Sequence, residues 1–142
     1  MIVRLATQEE VDQIAKDFLE LGLMVDYIRE SSTLSRETVA SWLRHVLSTD
    51  GTKRLFVAEH DSAMIGWCGV GLLNFFHPPH APYLAEWGWY VRQDVTKRVA
   101  VTIWTHAKAW GKQHGARYAC YAIAQRSKGK KAMVETVKWE AL

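Results

Sequence analysis

One glutamate stands among aromatic residues, in a pattern that suits proton transfer. Glu86 lies within YLAEWGWYV (Tyr83 to Val91), with Trp87 and Trp89 close after it in the chain. Partial desolvation by these indoles would raise the pKa of the carboxyl group toward that of a general base. An alternating strand also places glutamates on its polar face, and the pattern by itself favours this structural explanation.

A second candidate site lies at the start of a predicted helix. Thr96 stands at its N-cap, and Lys97 and Arg98 follow in the first turn. Free backbone N–H groups at a helix N-terminus favour a bound anion, and the two cations, which oppose the helix dipole, add to that preference. A capped helix with solvated basic residues explains the same three side chains.

Other polar groups have weaker patterns. His77 and His80 flank two prolines, but a zinc site needs about four ligands, and no third is evident. A substrate loop or simple exposure is therefore favoured over a metal site. A basic run follows the last apolar strand and is typical of a solvated segment, with contact to the phosphates of a ligand, to nucleic acid or to an acidic partner as alternatives. It comprises Arg126, Lys128, Lys130 and Lys131.

The composition limits the classes of function. The chain has 142 residues, a hydrophobic fraction of 49% and a net charge of +3. These values predict one globular domain that spans residues 1–142, with residues 126–142 as a basic segment. The small net charge argues against nucleic-acid binding. Cys68 and Cys120 lie in apolar stretches, as buried reduced thiols do. No apolar window approaches the roughly 18 residues that span a bilayer. We therefore predict a cytoplasmic protein.

The periodicity of apolar residues predicts the order β, α, α, β, β, β, α, β. A capping box at Thr7 and Glu10 starts the first helix, which is predicted to end at Gly22, and Ser35 caps the second. The later elements are strands Leu55 to His60, Met64 to Phe76 and Tyr83 to Val91, a helix Thr96 to Gly115, and a strand Arg117 to Gln125. The segment after residue 126 fits a strand or a helix, and we predict a helix.

The tryptophans fall into two predicted groups. The first group occupies apolar helix positions, which predicts core packing; it consists of Trp42, Trp104 and Trp110. The second lies on adjacent strands and fits an acceptor wall or a contact surface; it consists of Trp67, Trp87 and Trp89.

This order of elements resembles that of the GNAT N-acetyltransferases, an α/β fold with a mostly antiparallel sheet flanked by helices. The residue-level similarity lies in YVRQDVTKRVAVTIW (Tyr90 to Trp104), where the family has a pattern close to Y-V-x-P-x-x-R-G-x-G followed by a helix. Val91 and Arg92 match the end of the family's fourth strand. Gln93 and Asp94 stand where proline and an acidic residue are common.

The resemblance implies an acetyl-CoA-dependent transfer to an amine. It implies Glu86 as the base and the Val91 N–H as the oxyanion donor, with the pyrophosphate held by the turn. The cofactor-binding residues would be Tyr90, Val91, Arg92, Thr96, Lys97 and Arg98. The family's acid is usually a tyrosine after the fifth strand, and Tyr121 is the candidate here, with Tyr118 beside it.

Three departures favour a second interpretation. Neither family glycine is present in the turn, no tyrosine follows Ala132, and the chain stops where the family continues with a helix and two strands. The rival hypothesis is a catalytically silent GNAT fold used for binding or assembly, as among bacteriophage virion proteins. Missing strands would also leave an open sheet edge, which predicts a homo-oligomer as one means of covering it.

Overall fold

Six strands form one sheet whose spatial order follows the chain. They are β1 (Ile2–Leu5), β2 (Lys53–His60), β3 (Ala63–Asn74), β4 (Pro82–Val91), β5 (Tyr118–Arg126) and β6 (Met133–Ala141). Neighbouring strands are antiparallel, except that β4 and β5 are parallel. The structure is a computed structural model that describes residues 1–24, 35–48, 51–74, 82–126 and 133–142.

Within the described ranges, three α-helices flank this sheet. A 3-10 turn (Gln8–Glu10) leads into α1 (Val11–Met24), α2 is Arg36–Ser48, and α3 is Lys97–Gln113. The hydroxyl of Ser35 accepts the N–H of Thr38 at 3.1 Å, which confirms the predicted cap of α2. The N–H of Thr7 donates to Glu10 at 2.9 Å, as the capping-box spacing predicts. The predicted order of elements and the mixed α/β class are confirmed.

Two buried clusters lie on opposite faces of the sheet. The first lies under α1 and α2 and surrounds Trp67, which has no exposed surface. The second lies under α3 and surrounds Ile103 and Trp104. Because side chains alternate along a strand, β2, β3 and β4 each contribute to both clusters. This sandwich of helix, sheet and helix fixes the position of β4, the strand that carries the candidate base.

Arg4 ties the first edge of the sheet to the start of the helical region. Its guanidinium group donates to Glu10 at 2.8 Å and to Glu59 at 2.6 Å. Burial acts to raise the pKa of Glu10, but the hydrogen bonds from Arg4 and Thr7 outweigh it and lower that pKa. The ion pairs therefore hold β1, β2 and the entry to α1 together.

Three predictions about the fold are wrong. The helix α1 runs through Gly22 to Met24 instead of ending at the glycine. The segment predicted as a C-terminal helix forms β6, because the free edge of β5 offers a partner for every residue from Met133 to Ala141. Trp42, predicted as a core residue, is 38% exposed and packs only edge-on against Trp87, with ring centroids 4.7 Å apart.

Candidate active site

The two edges of β4 are paired to different extents. On one side, β4 pairs with β3 along its whole length, from Pro82 opposite Asn74 to Val91 opposite Gly66. On the other side, the ladder with β5 consists of three Cα pairs, from Tyr83 with Tyr118 to Ala85 with Cys120. Both strands continue beyond these pairs. A gap therefore opens between β4 and β5 from Glu86 onward.

A β-bulge in β4 lies beside the mouth of this gap. Glu86 pairs with Val70 and Gly88 with Gly69, so Trp87 is the extra residue. The bulge turns the Trp87 ring onto the α1 and α2 face, where it covers Gly69. A Cβ at Gly69 would stand 2.1 Å from that ring. The absence of a side chain at Gly69 is what lets the indole lie flat on β3.

Glu86 bridges the two strands at the point where they separate. Its carboxylate accepts the N–H of Ala122 on β5 at 3.2 Å. Burial raises the pKa of the Cys68 and Cys120 thiols, and the charge of Glu86 raises both further. The predicted base thus lies half-buried at the start of the gap, close to both cysteines. Cys68 is buried, as predicted, whereas Cys120 is half-buried.

The N–H of Val91 points into the gap. Arg92 donates its own N–H to the carbonyl of Ile65 on β3 at 3.0 Å. Backbone groups of consecutive residues in a strand point to opposite edges, so the N–H of Val91 points away from β3. The side of β4 that it faces is the one from which β5 has separated. This is the orientation that an oxyanion donor at Val91 requires.

Three aromatic rings in mutual contact form the wall of the gap on the α3 face. Trp89 stacks on Trp104 at 5.5 Å, and Tyr121 meets their edges at 5.7 and 5.3 Å. The indole N–H groups of Trp89 and Trp104 are buried without an acceptor. Tyr121 therefore lies at the gap, whereas Tyr118, which is 50% exposed, lies on the other face of β5.

The sheet separates the tryptophans that were grouped from the sequence. Trp67 and Trp87 pack under α1 and α2, and Trp89 packs under α3. A single wall formed by all three is therefore wrong, because strand alternation and the bulge send Trp87 and Trp89 to opposite faces. The one indication of the bulge in the sequence is Gly88, which follows Trp87.

The start of α3 has no side-chain cap, although the carbonyl of Thr96 accepts the N–H of Val99 at 3.1 Å. Thr96 is the N-cap, but its side chain makes no capping hydrogen bond. The first turn of this helix carries Lys97 and Arg98, both exposed, and no acidic residue. Helix geometry leaves the first N–H groups without intrahelical partners. The N-terminal end of α3 is thus suited to an anion despite the missing glycines.

The predicted cofactor residues divide between two clefts. Thr96 and Arg98 line a cleft of about 580 Å³ at the start of α3, together with His60. Tyr90 and Arg92 line a second cleft of about 430 Å³ beside α1. Neighbouring residues on β4 point to opposite faces, so Tyr90 and Val91 cannot line one continuous surface. The turn therefore does not bring all six residues together.

Charges around the second cleft affect two of its groups. Burial raises the pKa of Tyr90, and the negative charges of Asp17 and Glu20 raise it further. Arg92 forms a bidentate ion pair with Asp94, with Nε to Oδ1 at 3.0 Å, and this hydrogen bonding lowers the pKa of Asp94. Arg92 is thus already paired with a carboxylate in the turn.

Asp17 is a buried polar group that the sequence analysis missed. Its carboxylate accepts the N–H of Trp67 at 3.2 Å and the amide of Gln13 at 2.9 Å. Burial raises its pKa. The spacing of Gln13 and Asp17, four residues apart on one helix, was the available signal.

Some predicted candidates lie outside the described residues. They are His77, His80, Lys128, Lys130 and Lys131, and only the backbone of Arg126 is described. Within the described ranges, no group of His, Cys, Asp and Glu side chains is arranged to hold a metal ion. In the same ranges, no helix combines the length and apolarity needed to cross a membrane.

A family model matches most of the chain. The model of the acetyltransferase (GNAT) family covers residues 7–133. The chain belongs to this family. The findings therefore support acetyl transfer as the general reaction of this chain's family. No curated protein sequence is significantly similar to this GNAT chain.

Solved structures confirm the GNAT fold. A ribosomal-protein-alanine N-acetyltransferase from Brucella melitensis is 14% identical, covers 100% of both chains and has a TM-score of 0.71. An aminoglycoside N-acetyltransferase, AAC(6')-Iy, in complex with CoA is 15% identical, with a TM-score of 0.63 over 92% of this chain and 82% of its own. A transcriptional regulator from Bacillus halodurans is 11% identical, with a TM-score of 0.68 over 89% and 82%.

Proposed function

We propose that this GNAT protein transfers an acetyl group from acetyl-CoA to an amine in the gap between β4 and β5. The observation that carries the proposal is the short ladder between these strands, which pair over three residues while both continue. The gap exposes one edge of β4, including the N–H of Val91. Such an edge can accept an extended amide-bearing arm in place of a neighbouring strand.

The residues at the gap fit the parts of acetyl-CoA. The pantetheine arm carries amide groups that can pair with the free edge of β4, between apolar walls formed by Trp89 and Tyr121. The phosphates suit the start of α3, where Lys97 and Arg98 stand at uncapped N–H groups. When bound, acetyl-CoA supplies an activated thioester carbonyl and a thiol leaving group.

Each of three groups of the chain has a role in this reaction. Glu86 takes the proton from the incoming ammonium, so that the amine can form the new C–N bond as the C–S bond breaks. The N–H of Val91 donates to the carbonyl oxygen, on which negative charge develops. Tyr121 returns a proton to the departing thiolate. Glu86 holds the Ala122 N–H at 3.2 Å, which keeps its carboxylate at the gap.

Calorimetry with acetyl-CoA tests the binding step. We expect a dissociation constant in the range of about 1 μM to 1 mM, typical of enzyme substrates. The double variant Lys97→Ala and Arg98→Ala should bind at least about tenfold more weakly, because two cations near the phosphates are lost. Lys112→Ala, at the other end of α3, is the matched control and should bind normally.

A thiol-release assay with a panel of amines tests the transfer step. We expect CoA to be released only when an acceptor amine is present, and the acetylated product to be identified by mass spectrometry. Reactions without amine correct for Cys120, which is half-buried, and for Cys68. If no heat is measured at millimolar acetyl-CoA and no amine is acetylated, the fold is catalytically silent and the proposal is wrong.

A further inference from the structure

The gap between β4 and β5 is closed at the end where the two strands meet. The last Cα pair of their ladder joins Ala85 to Cys120, and just beyond it the carboxylate of Glu86 accepts the N–H of Ala122 at 3.2 Å. From there the gap widens toward Val91, the last residue of β4, and toward the start of α3. The gap therefore has a closed end at Glu86 and an open end at Val91.

Aromatic rings close the side of the gap that faces α3. The ring centroid of Trp104 lies 5.5 Å from that of Trp89 and 5.3 Å from that of Tyr121, and the last two lie 5.7 Å apart. Centroids separated by about 4.5–7 Å belong to rings in contact, so each ring contacts both others. We call Trp89, Trp104 and Tyr121 the aromatic wall. It separates the gap from the space under α3.

The three members of the aromatic wall differ in burial. Trp89 and Tyr121 are half-buried and stand on the two strands that border the gap, one on each. Trp104 stands behind them on α3 and is 4% exposed, in one buried cluster with Ile103 and Ala107. A molecule in the gap would therefore touch Trp89 and Tyr121, while Trp104 holds both rings in position.

The direction of the CoA arm follows from the proposed function. With the phosphates at the start of α3, the pantetheine arm enters the gap at its open end and directs its acyl group toward Glu86. The carbonyl oxygen lies at the Val91 N–H and the sulfur near Tyr121, which places the acyl carbons beside the aromatic wall. A chain longer than acetyl would have to continue toward the closed end, under α3, or out of the gap on the side of α1 and α2.

Each of these three routes is obstructed. Backbone pairing at Ala85 and Cys120 blocks the closed end. The aromatic wall, backed by Trp104, blocks the route under α3. The side of α1 and α2 is the one left for the incoming amine, so a chain that leaves there occupies the position of the acceptor. Close-packed residues relax only slightly, and several extra methylenes therefore cannot be accommodated by small shifts.

We infer that the aromatic wall limits the acyl group to acetyl, and that the indole of Trp104 sets this limit. The limit rests on the proposed acetyl transfer and adds to it the length of the acyl chain and the residue that determines it. Trp104 is a specificity-determining residue and not a catalytic one, because it lies behind the rings that touch the substrate. Its buried N–H has no acceptor in the described part of the chain, so a smaller side chain breaks no hydrogen bond.

Calorimetry with a series of CoA thioesters tests the limit in the unaltered protein. The series is acetyl-CoA, propionyl-CoA, butyryl-CoA and hexanoyl-CoA, and free CoA measures the binding of the arm alone. We expect hexanoyl-CoA to bind at least about tenfold more weakly than acetyl-CoA, because a single extra methylene in a filled pocket already changes discrimination by roughly that factor. Propionyl-CoA and butyryl-CoA should fall between the two. Equal dissociation constants for acetyl-CoA and hexanoyl-CoA overturn the inference.

Two substitutions of the same kind on α3 locate the limit. Trp104→Leu opens apolar space behind Trp89 and Tyr121, in which a longer chain can bury its methylenes. The ratio of the hexanoyl-CoA to the acetyl-CoA dissociation constant should therefore fall at least about tenfold, since each buried methylene contributes roughly fourfold. Trp110→Leu is the matched control, because Trp110 instead contacts Phe56, with ring centroids 6.4 Å apart. It should leave the ratio unchanged.

Circular dichroism shows whether each variant is folded. If Trp104→Leu does not fold, Trp104→Phe replaces it, and the ratio should then fall in the same direction by a smaller factor. A ratio that stays unchanged in a folded Trp104 variant assigns the limit to other residues and overturns the inference. The series with the unaltered protein decides the limit even if neither variant folds.

Binding of the unaltered protein also separates the acyl limit from the proposed function. If all thioesters bind equally well, the acyl limit is wrong and the proposed acetyl transfer stands. If neither free CoA nor any thioester binds at millimolar concentration, both are wrong.

Discussion

The two edges of β4 share one backbone and behave differently. Toward β3, the strand is paired from end to end, and its one irregularity, the bulge at Trp87, is accommodated because Gly69 has no side chain. Toward β5, pairing stops after Ala85. At that point a carboxylate, not a carbonyl, accepts the next available N–H of β5. The side chain of Glu86 thus accepts the hydrogen bond of a backbone N–H group of β5 where the sheet opens.

The edge of β4 toward β3 therefore serves the fold, and the edge toward β5 borders the candidate active site. The edge toward β3 lies between buried clusters on both faces, and Trp67 in the cluster under α1 and α2 has its indole N–H satisfied by Asp17. The edge toward β5 instead borders the rings of Trp89 and Tyr121 and the carboxylate of Glu86. The two edges can be tested separately.

The largest expected effect concerns the open edge. Glu86→Gln should lower kcat by about 100-fold or more, because the amide cannot accept a proton. Its side-chain oxygen can still accept the N–H of Ala122, so the thermal midpoint should change little. Steady-state kinetics and thermal unfolding measure the two effects. Glu59→Gln, on β2, is the control and should change stability without changing the rate. An unchanged kcat in Glu86→Gln would assign this residue to the strand bridge alone.

The next effect concerns the closed edge. Gly69→Ala should lower the free energy of unfolding by about 2–3 kcal/mol, because the new methyl group would overlap the Trp87 ring. Gly71→Ala, on the same strand, meets nothing nearer than 3.7 Å and should be nearly neutral. Urea unfolding compares the two variants. Equal stabilities would mean that Trp87 does not rest on β3.

A smaller effect concerns the aromatic wall of the gap. Tyr121→Phe keeps the ring that packs on Trp89 and Trp104 but removes the hydroxyl group. We expect kcat to fall about tenfold if Tyr121 returns the proton to the thiolate. Tyr118→Phe, on the exposed side of β5, should have no effect. A normal rate for Tyr121→Phe, measured with a substrate whose chemistry limits turnover, would remove it from the mechanism.

The last effect is a change in the pH dependence of stability. Burial raises the pKa of Asp17 in the folded state, so the unfolded state loses its proton first as pH rises from the ordinary value. The contribution of Asp17 to the free energy of unfolding is fully present below the ordinary pKa. It is lost as pH rises through the raised pKa of the folded state. In Asp17→Asn this loss should disappear, because the amide does not titrate. Gln13 can turn its amide oxygen toward the new NH2 group, which keeps a hydrogen bond between the two side chains. Urea unfolding between pH 4 and 7 measures the slope.

Glu10 provides the opposite control. The pKa of Glu10 is lowered in the folded state. Its contribution to stability is therefore present above the ordinary pKa of glutamate and is lost as pH falls through the lowered pKa. The advantage of the unaltered protein over Glu10→Gln should therefore grow with pH. Slopes of the same sign for the two comparisons would contradict the assigned environments.

Much of the fold was predictable because it follows local patterns. Helical spacing located α1 to α3, the cap at Ser35 and the turn before Thr96. The strand Pro82–Val91 and its glutamate were also recognisable. The C-terminal segment was not, because Val137 and Trp139 fit strand spacing while Met133 and Val137 fit a helical face. The free edge of β5, which the sequence does not reveal, decided in favour of a strand.

The sequence by itself determined the residue types at the candidate site and the family to which the chain belongs. Only the tertiary structure decided what each of them faces. The bulge at Trp87 separates it from Trp89, and the divergence of β4 from β5 turns the Val91 N–H toward a gap. Tyr90 and Arg92 lie in a different cleft from Thr96 and Arg98. Register and strand divergence depend on pairing between distant residues, and no local pattern encodes that pairing.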